Sequence, residues 1–223
     1  MRPLLALMLL LACSSPQEGE PAAPPGATPA PAPATATTGK AAPPLRLEAR
    51  YRVSWGYGCG GNCAQNTRGE SAVVVTAEGS RLRMKDAGEI TTTHASPGSL
   101  VTEKRLWSFG GYGELTRATG SMTLGLSQLD GHCKDSQDSG TGARFEPCKH
   151  RPPGRLTIGC SRDEVDADGA KRPVWRCEPD PPIPGGEWSG TPFPWIFGID
   201  DPIDTIHAGE PEPRTRYQLR PPG

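Results

Sequence analysis

The 223-residue sequence predicts a mostly β protein: an antiparallel meander forming a small barrel or sandwich, disulfide-stapled, with an irregular Pro-rich C-terminal arm. Three observations predict it. Apolar and polar residues alternate with period two in several short runs, as strands with one buried face require. Glycine (28) and proline (26) separate those runs, and no stretch of about eleven residues carries a helical period, which excludes a helical bundle. Six of the seven cysteines lie in the part that carries the runs. The length excludes two large domains, and a formal net charge of −1 argues against a nucleic-acid partner.

The first strand runs from Arg46 to Tyr57, with Leu45, Leu47, Tyr51, Val53 and Trp55 on one parity. A hairpin follows. Val73, Val75 and Ala77 alternate up to Glu78-Gly79-Ser80-Arg81, and Leu82 and Met84 alternate after it. Glycine at the first central position suits a type II′ turn. That turn sets Ala77 opposite Leu82 and Val75 opposite Met84 on the apolar face, with Thr76 opposite Arg83 and Val74 opposite Lys85 on the other. A second hairpin is expected from Val101 to Leu126, with Gly110-Gly111-Tyr112-Gly113 as its turn and Met122, Leu124 and Leu126 alternating after it. A third centres on Asp168-Gly169, a strong short-range hairpin signal. Its register opposes Cys160 to Cys177 at a non-hydrogen-bonded pair, where Cα atoms approach closely enough for a disulfide. The last stretch, 179–223, is read as an irregular arm.

Upstream, residues 1–13 read MRPLLALMLLLAC. Arg2 precedes an apolar run from Leu4 to Ala12, well short of the roughly 20 residues a spanning helix needs. The end of that run, Leu10-Leu11-Ala12-Cys13, resembles the lipobox of bacterial lipoprotein signal peptides. The resemblance covers these thirteen residues only. It implies cleavage before Cys13, so that 1–12 is signal peptide, and lipid attachment to the Cys13 thiol and amino group. Two or three acyl chains anchor stably without a spanning helix. Ser14 after the cysteine resembles the outer-membrane default of Gram-negative lipoproteins, and the expected location is the cell envelope, lipid-anchored on the membrane.

Residues 14–44 hold nine Pro and nine Ala among thirty-one, with no aromatic residue and no apolar period. Such a chain buries too little to offset its ordering entropy. With Cys13 it forms the expected tether, 13–44, which reaches on the order of 100 Å when fully extended. The folded domain is expected over 45–223.

With Cys13 lipidated, six cysteines remain, an even number that suits three disulfides in an exported domain. Cys160 with Cys177 is argued above. Cys133 with Cys148 closes a polar loop worth roughly 3 kcal/mol in the chain-entropy account. Cys59 with Cys63 encloses a Gly-rich turn. A crossed pairing among these four stays open.

Other constellations are weaker. His132-Cys133 and Cys148-x-His150 have the ligand types of a zinc site, but export favours disulfides over thiolates, and no metal or cofactor is expected. Glu164 to Gly169 resembles the start of an EF-hand loop, yet position twelve would be Trp175, which offers no bidentate carboxylate. Tyr57 to Asn62 resembles a short piece of Kunitz inhibitor domains, whose other cysteine spacings are missing. G-x-S-x-G, S-x-x-K and H-E-x-x-H are absent, and His94, His132, His150 and His207 sit in polar contexts. Trp188, Phe193, Trp195 and Phe197 either cap an open barrel end or form an exposed binding surface. The expected function is non-enzymatic binding of an envelope protein, a glycan or a small molecule. The alternatives are an exported hydrolase with dispersed catalytic residues and a structural surface lipoprotein.

Overall fold

The computed structural model describes residues 44–58, 60, 62–150, 152–183, 188–210 and 213–221. The expected signal peptide (1–12), Cys13, Cys59 and all of the expected tether except Pro44 lie outside the described residues. Among those described there is no helix, and the strands form one sheet.

The described residues open with a five-strand antiparallel meander: β1 (Leu45–Gly58), β2 (Ala64–Glu78), β3 (Arg81–Ser96), β4 (Ser99–Ala118) and β5 (Ser121–Asp138). The β2–β3 hairpin has the register its sequence predicts, with Ala77 opposite Leu82 and Val75 opposite Met84. Gly79 takes a φ of 61°, as the tight turn requires.

β5 then serves two partners along one edge. Its first half, Ser121–Leu126, pairs with β7 (Leu156–Ala167). Its far half, Lys134–Gln137, pairs with the short β6 (Arg144–Pro147). β7 turns through Asp168 (φ 53°) and Gly169 (φ 81°) into β8 (Ala170–Pro179), with Cys160 opposite Cys177. Positive φ at both turn residues is the type I′ requirement that Asp-Gly meets.

Two expectations are corrected in detail. The glycines of the 110–113 run stand inside β4 and make no turn; the turn follows Ala118, where Gly120 has a φ of 77°. The run answers a different need. The β4–β5 register shifts between Tyr112 and Gly113, and a Cβ on Gly113 would collide with the Gly125 backbone. A bulge of this kind demands close backbone approach, which glycine permits.

The Pro-rich arm is irregular over 180–183 and 188–194, but it also carries β9 (Trp195–Gly198), β10 (Ile203–Gly209) and β11 (Arg214–Leu219). β9 pairs with β8, β10 lies parallel to β1, and β11 returns beside β10 to meet β7 at Tyr217 and Ala167. That last pair closes a hydrogen-bonded ring of β1, β2, β3, β4, β5, β7, β11 and β10 among the described residues.

The main core collects the inward residues of the meander (Leu47, Val73, Val75, Leu82, Met84, Leu124), together with Ile158 of β7 and Trp195 and Phe197 of β9. A second cluster packs Val165, Val174, Ile196 and Ile203 under Tyr217 and Leu219. A third sets Trp107 and Phe109 around the Cys133–Cys148 disulfide. Apolar burial at about 25 cal/mol per Å² holds such layers together. Here it leaves the inner space occupied by side chains.

Candidate functional site

Much of the concave space of the described residues lies along the outward faces of β1–β3. On β1 the residues that alternate with buried Leu47, Ala49 and Val53 are Glu48, Arg50, Arg52 and Ser54. On β2 Asn66, Arg68 and Glu70 alternate with buried Thr67 and Ser71, and on β3 Glu89, Thr91 and Thr93 follow the same outward parity. Together these residues line a polar track.

Three adjoining concavities make up the track. The first, about 520 Å³, runs from Glu48 and Arg50 across to Leu106. It shares Arg52, Glu70 and Glu89 with the second, about 770 Å³, which continues along Asn66, Arg68 and Thr93. A third, about 260 Å³, takes in Ser54, Asn66 and Arg68 and reaches Trp55 and Gly209 at the end of β10. On the opposite face of β1, in the parity of Val53, Trp55 and Tyr57 stack on each other, with ring centroids 5.9 Å apart and 5° between planes. The Tyr57 hydroxyl donates to Gln65 Oε1 at 2.9 Å.

The track's charges are mostly answered locally. Arg50 Nε donates to Glu48 Oε1 at 2.9 Å, Arg52 stands 3.2 Å from buried Asp204, and Lys104 stands 2.9 Å from Glu89. Arg220, just past β11, bridges Asp204 of β10 (2.9 Å) and Glu48 of β1 (3.0 Å). Burial pushes the Glu48 carboxyl up, but the Arg50 hydrogen bond and the charges of Arg220, Arg50 and Arg46 outweigh it and hold it below the usual range. Arg68 and Glu70 form no ion pair among the described residues.

A buried clasp lies on the other side of the sheet. Asp86 accepts hydrogen bonds from Trp107 Nε1 (2.9 Å), Thr191 N (2.9 Å) and the Thr191 hydroxyl. The Thr191 carbonyl accepts in turn from Trp188 Nε1 (2.8 Å) and Trp195 Nε1 (3.1 Å). Burial raises the Asp86 carboxyl above its ordinary range against those hydrogen bonds. This cluster pins the arm to β3 and β4, and it explains the C-terminal aromatics. Trp195 and Phe197 are 1% and 0% exposed, while Trp188 and Phe193 are partly buried and pack against Trp195. The possible exposed aromatic surface is therefore corrected for Trp195 and Phe197, which are buried in the main core, with Trp188 and Phe193 packed against it. The physical reason is that apolar rings gain free energy by leaving water, and these pack in or against the main core.

The cysteines divide as follows. Cys133 bonds Cys148 (Cα–Cα 5.4 Å) and Cys160 bonds Cys177 (Cα–Cα 4.0 Å). Cys63 is also disulfide-bonded, and its expected partner Cys59 lies outside the described residues. Cys133, Asp135 and Cys148 stand within metal-ligating distance of one another, but both sulfurs are engaged in the disulfide and offer no thiolate. Glu164–Gly169 is the end of β7 and its turn. The histidines are dispersed. His94 stands 3.8 Å from Glu103, and His207 is 3.2 Å from the Thr215 hydroxyl. His132 lines a separate 380 Å³ concavity with Asp130 and Glu146, where it makes no hydrogen bond among the described residues.

The residues that build the track drew no attention in the sequence, apart from Trp55 as a strand residue. Their available signal was the polar parity of the first strand, where three charged residues in a row (Glu48, Arg50, Arg52) share one face. Comparison with protein families, with curated proteins and with solved structures yields no match.

Proposed function

We propose that this chain is an exported lipoprotein, anchored through Cys13, whose folded part is a non-enzymatic binding domain. It recognises an envelope component along the polar track of β1–β3. One observation carries this reading: the inner space is occupied by Trp195, Phe197 and the aliphatic core, while the wide concavities lie on outward-facing residues. Ligand pockets normally concentrate a few placed polar groups in concave surface, and the track has both. Six cysteines in the domain and the signal-like start of the chain support export. An interior small-molecule site is disfavoured by the same packing. The hydrolase alternative would draw on His132, which no hydrogen bond among the described residues orients, so this reading leaves it aside.

Two measurements test the proposal. Radiolabelled palmitate fed to the producing bacterium should label the wild-type chain and not Cys13→Ala, which should be recovered in the soluble fraction. That soluble variant should still co-sediment with purified envelope material, and adding Arg68→Glu and Glu70→Arg together should reduce co-sedimentation at least tenfold. Equal labelling of both chains sinks the anchor; unchanged co-sedimentation sinks the track.

A further inference from the structure

We infer that the track takes a zwitterion: an α-amino-acid group whose carboxylate seats on Arg68 and whose ammonium seats on Glu70. The inference rests on the binding reading above and names its ligand class.

Pairing singles these two residues out. The charged side chains that line the 770 Å³ concavity are Arg52, Arg68, Glu70 and Glu89. Arg52 stands 3.2 Å from Asp204, and Glu89 stands 2.9 Å from Lys104. Arg68 and Glu70 form no ion pair among the described residues, not even with each other. Both have the outward parity of β2, about 7 Å apart along the strand at 3.3 Å per residue. Register places Glu70 between Arg52 and Glu89, and Arg68 between Ser54 and Thr91, so all six side chains stand on one face of the sheet. β2 is paired on both edges here, and Gly69 lies so close to β3 that a Cβ would collide with the Glu89 carbonyl oxygen and with Ile90. The two charges thus stand on a fixed backbone before any ligand arrives, which lowers the ordering cost of binding.

Two opposite charges held apart suit a ligand that carries the complementary pair. A guanidinium offers parallel N–H donors to a carboxylate, and a carboxylate accepts from an ammonium. Glu70 also stands directly opposite Glu89, a like-charge placement that destabilises a strand pair. An ammonium seated there offsets it. Around Arg68 the Ser54 and Thr91 hydroxyls and the Asn66 amide line the same concavity and can complete the carboxylate's hydrogen bonds. Beyond Glu70 the floor of the adjoining 520 Å³ concavity falls to Ala72, opposite Ala87, with Leu106 among its lining residues. That is a short apolar seat for the ligand's carbon chain. A purely anionic ligand would meet Glu70 uncompensated, and a purely cationic one would meet Arg68. Glu210 lines only the 260 Å³ concavity, apart from Glu70, and is assigned no role.

The test passes the full chain, in detergent micelles, over beads carrying lysine coupled through its side-chain amine, which leaves the α-ammonium and α-carboxylate free. Retention should be at least tenfold greater than on beads whose α-amine is acetylated or whose α-carboxylate is amidated. It should fall at least threefold between 0.1 and 0.5 M salt, as exposed charges are screened, and free Nε-acetyl-lysine should compete it away. Arg68→Gln and Glu70→Gln should each lower retention at least tenfold, and Glu210→Gln should stay within threefold. Arg68 and Glu70 are exposed, so each variant should keep the wild-type thermal midpoint. No retention, equal retention on either blocked bead, retention that ignores Arg68→Gln or Glu70→Gln, or a tenfold loss in Glu210→Gln overturns the assignment. If Arg68/Glu70-dependent co-sedimentation persists in that event, the binding track stands and only its ligand class is wrong; if it is lost too, both readings fall.

Discussion

Asp86 is the residue on which the fold's two ends depend. It is fully buried and joins β3 to Thr191, 105 positions away in the chain. Removing a buried acceptor strands its donors, so Asp86→Ala should cost on the order of 3 kcal/mol in urea denaturation. Its pH signature is also distinctive. Burial raises the folded-state value above the unfolded one, so its contribution is fully present below the ordinary value of 3.8 and is lost as pH rises through the folded value. Glu48 runs the other way. Its folded value is lowered, so its contribution is present above the ordinary 4.5 and is lost as pH falls through the folded value. Stability curves measured across pH should show Asp86→Asn flattening the decline on the alkaline side of this range and Glu48→Gln flattening the acid side. Ser71 gives a prediction of opposite sign to Asp86→Ala. Its buried hydroxyl lacks a hydrogen-bond partner beside Gly88, so Ser71→Ala should raise stability by about 1 kcal/mol. A loss of that size instead would mean that the hydroxyl is satisfied in solution.

At the scale of elements, tight turns and strand alternation were readable in advance because both are local. Gly79-Ser80 and Asp168-Gly169 each dictate a two-residue connection, and from the connection every cross-strand pair follows, Cys160 with Cys177 included. The Gly110–Gly113 run misleads for the same reason: locally it looks like a turn, and only the β5 backbone behind Gly113 reveals a bulge. β9 and β10 escape notice because four- and seven-residue strands among prolines carry little periodicity, and the parallel β1–β10 pairing joins segments about 150 residues apart. The track was hidden likewise, since it combines the polar parity of three strands. Substitutions separate the two kinds of glycine. Gly113→Ala should cost about 2–3 kcal/mol, because its Cβ meets backbone that cannot yield. Gly120→Ala, with open space but a φ of 77°, should cost about 1 kcal/mol. Breaking Cys160–Cys177 with paired serines should cost about 3 kcal/mol, for a loop of separation 17. Denaturant midpoints at constant slope would rank the three.

For the whole molecule the decisive question is whether the Pro-rich arm is an appendage or part of the domain. An appendage would leave a self-sufficient β1–β8 body. The packing says otherwise. β9 supplies Trp195 and Phe197 to the main core, and β9, β10 and β11 supply Ile196, Ile203, Tyr217 and Leu219 to the second. β10 covers the free edge of β1, and the single Tyr217–Ala167 pair completes the ring. Arg220, almost at the end of the described chain, reaches back to Glu48 near its start. Without the arm, β1 would present an open edge of unpaired N–H and C=O groups, Asp86 would lose Thr191, and the apolar faces of β7 and β8 would meet water. The lost burial includes two aromatic side chains, each worth about 3–5 kcal/mol when deleted from a core, against a typical total stability of about 5–15 kcal/mol. A chain ending at Glu178 should therefore show no cooperative thermal transition and should bind a dye for exposed apolar surface, even with both disulfides of the meander and of the β7–β8 hairpin intact. A sharp transition in that truncated chain would show that β1–β8 folds alone and that the arm is dispensable to the barrel it closes.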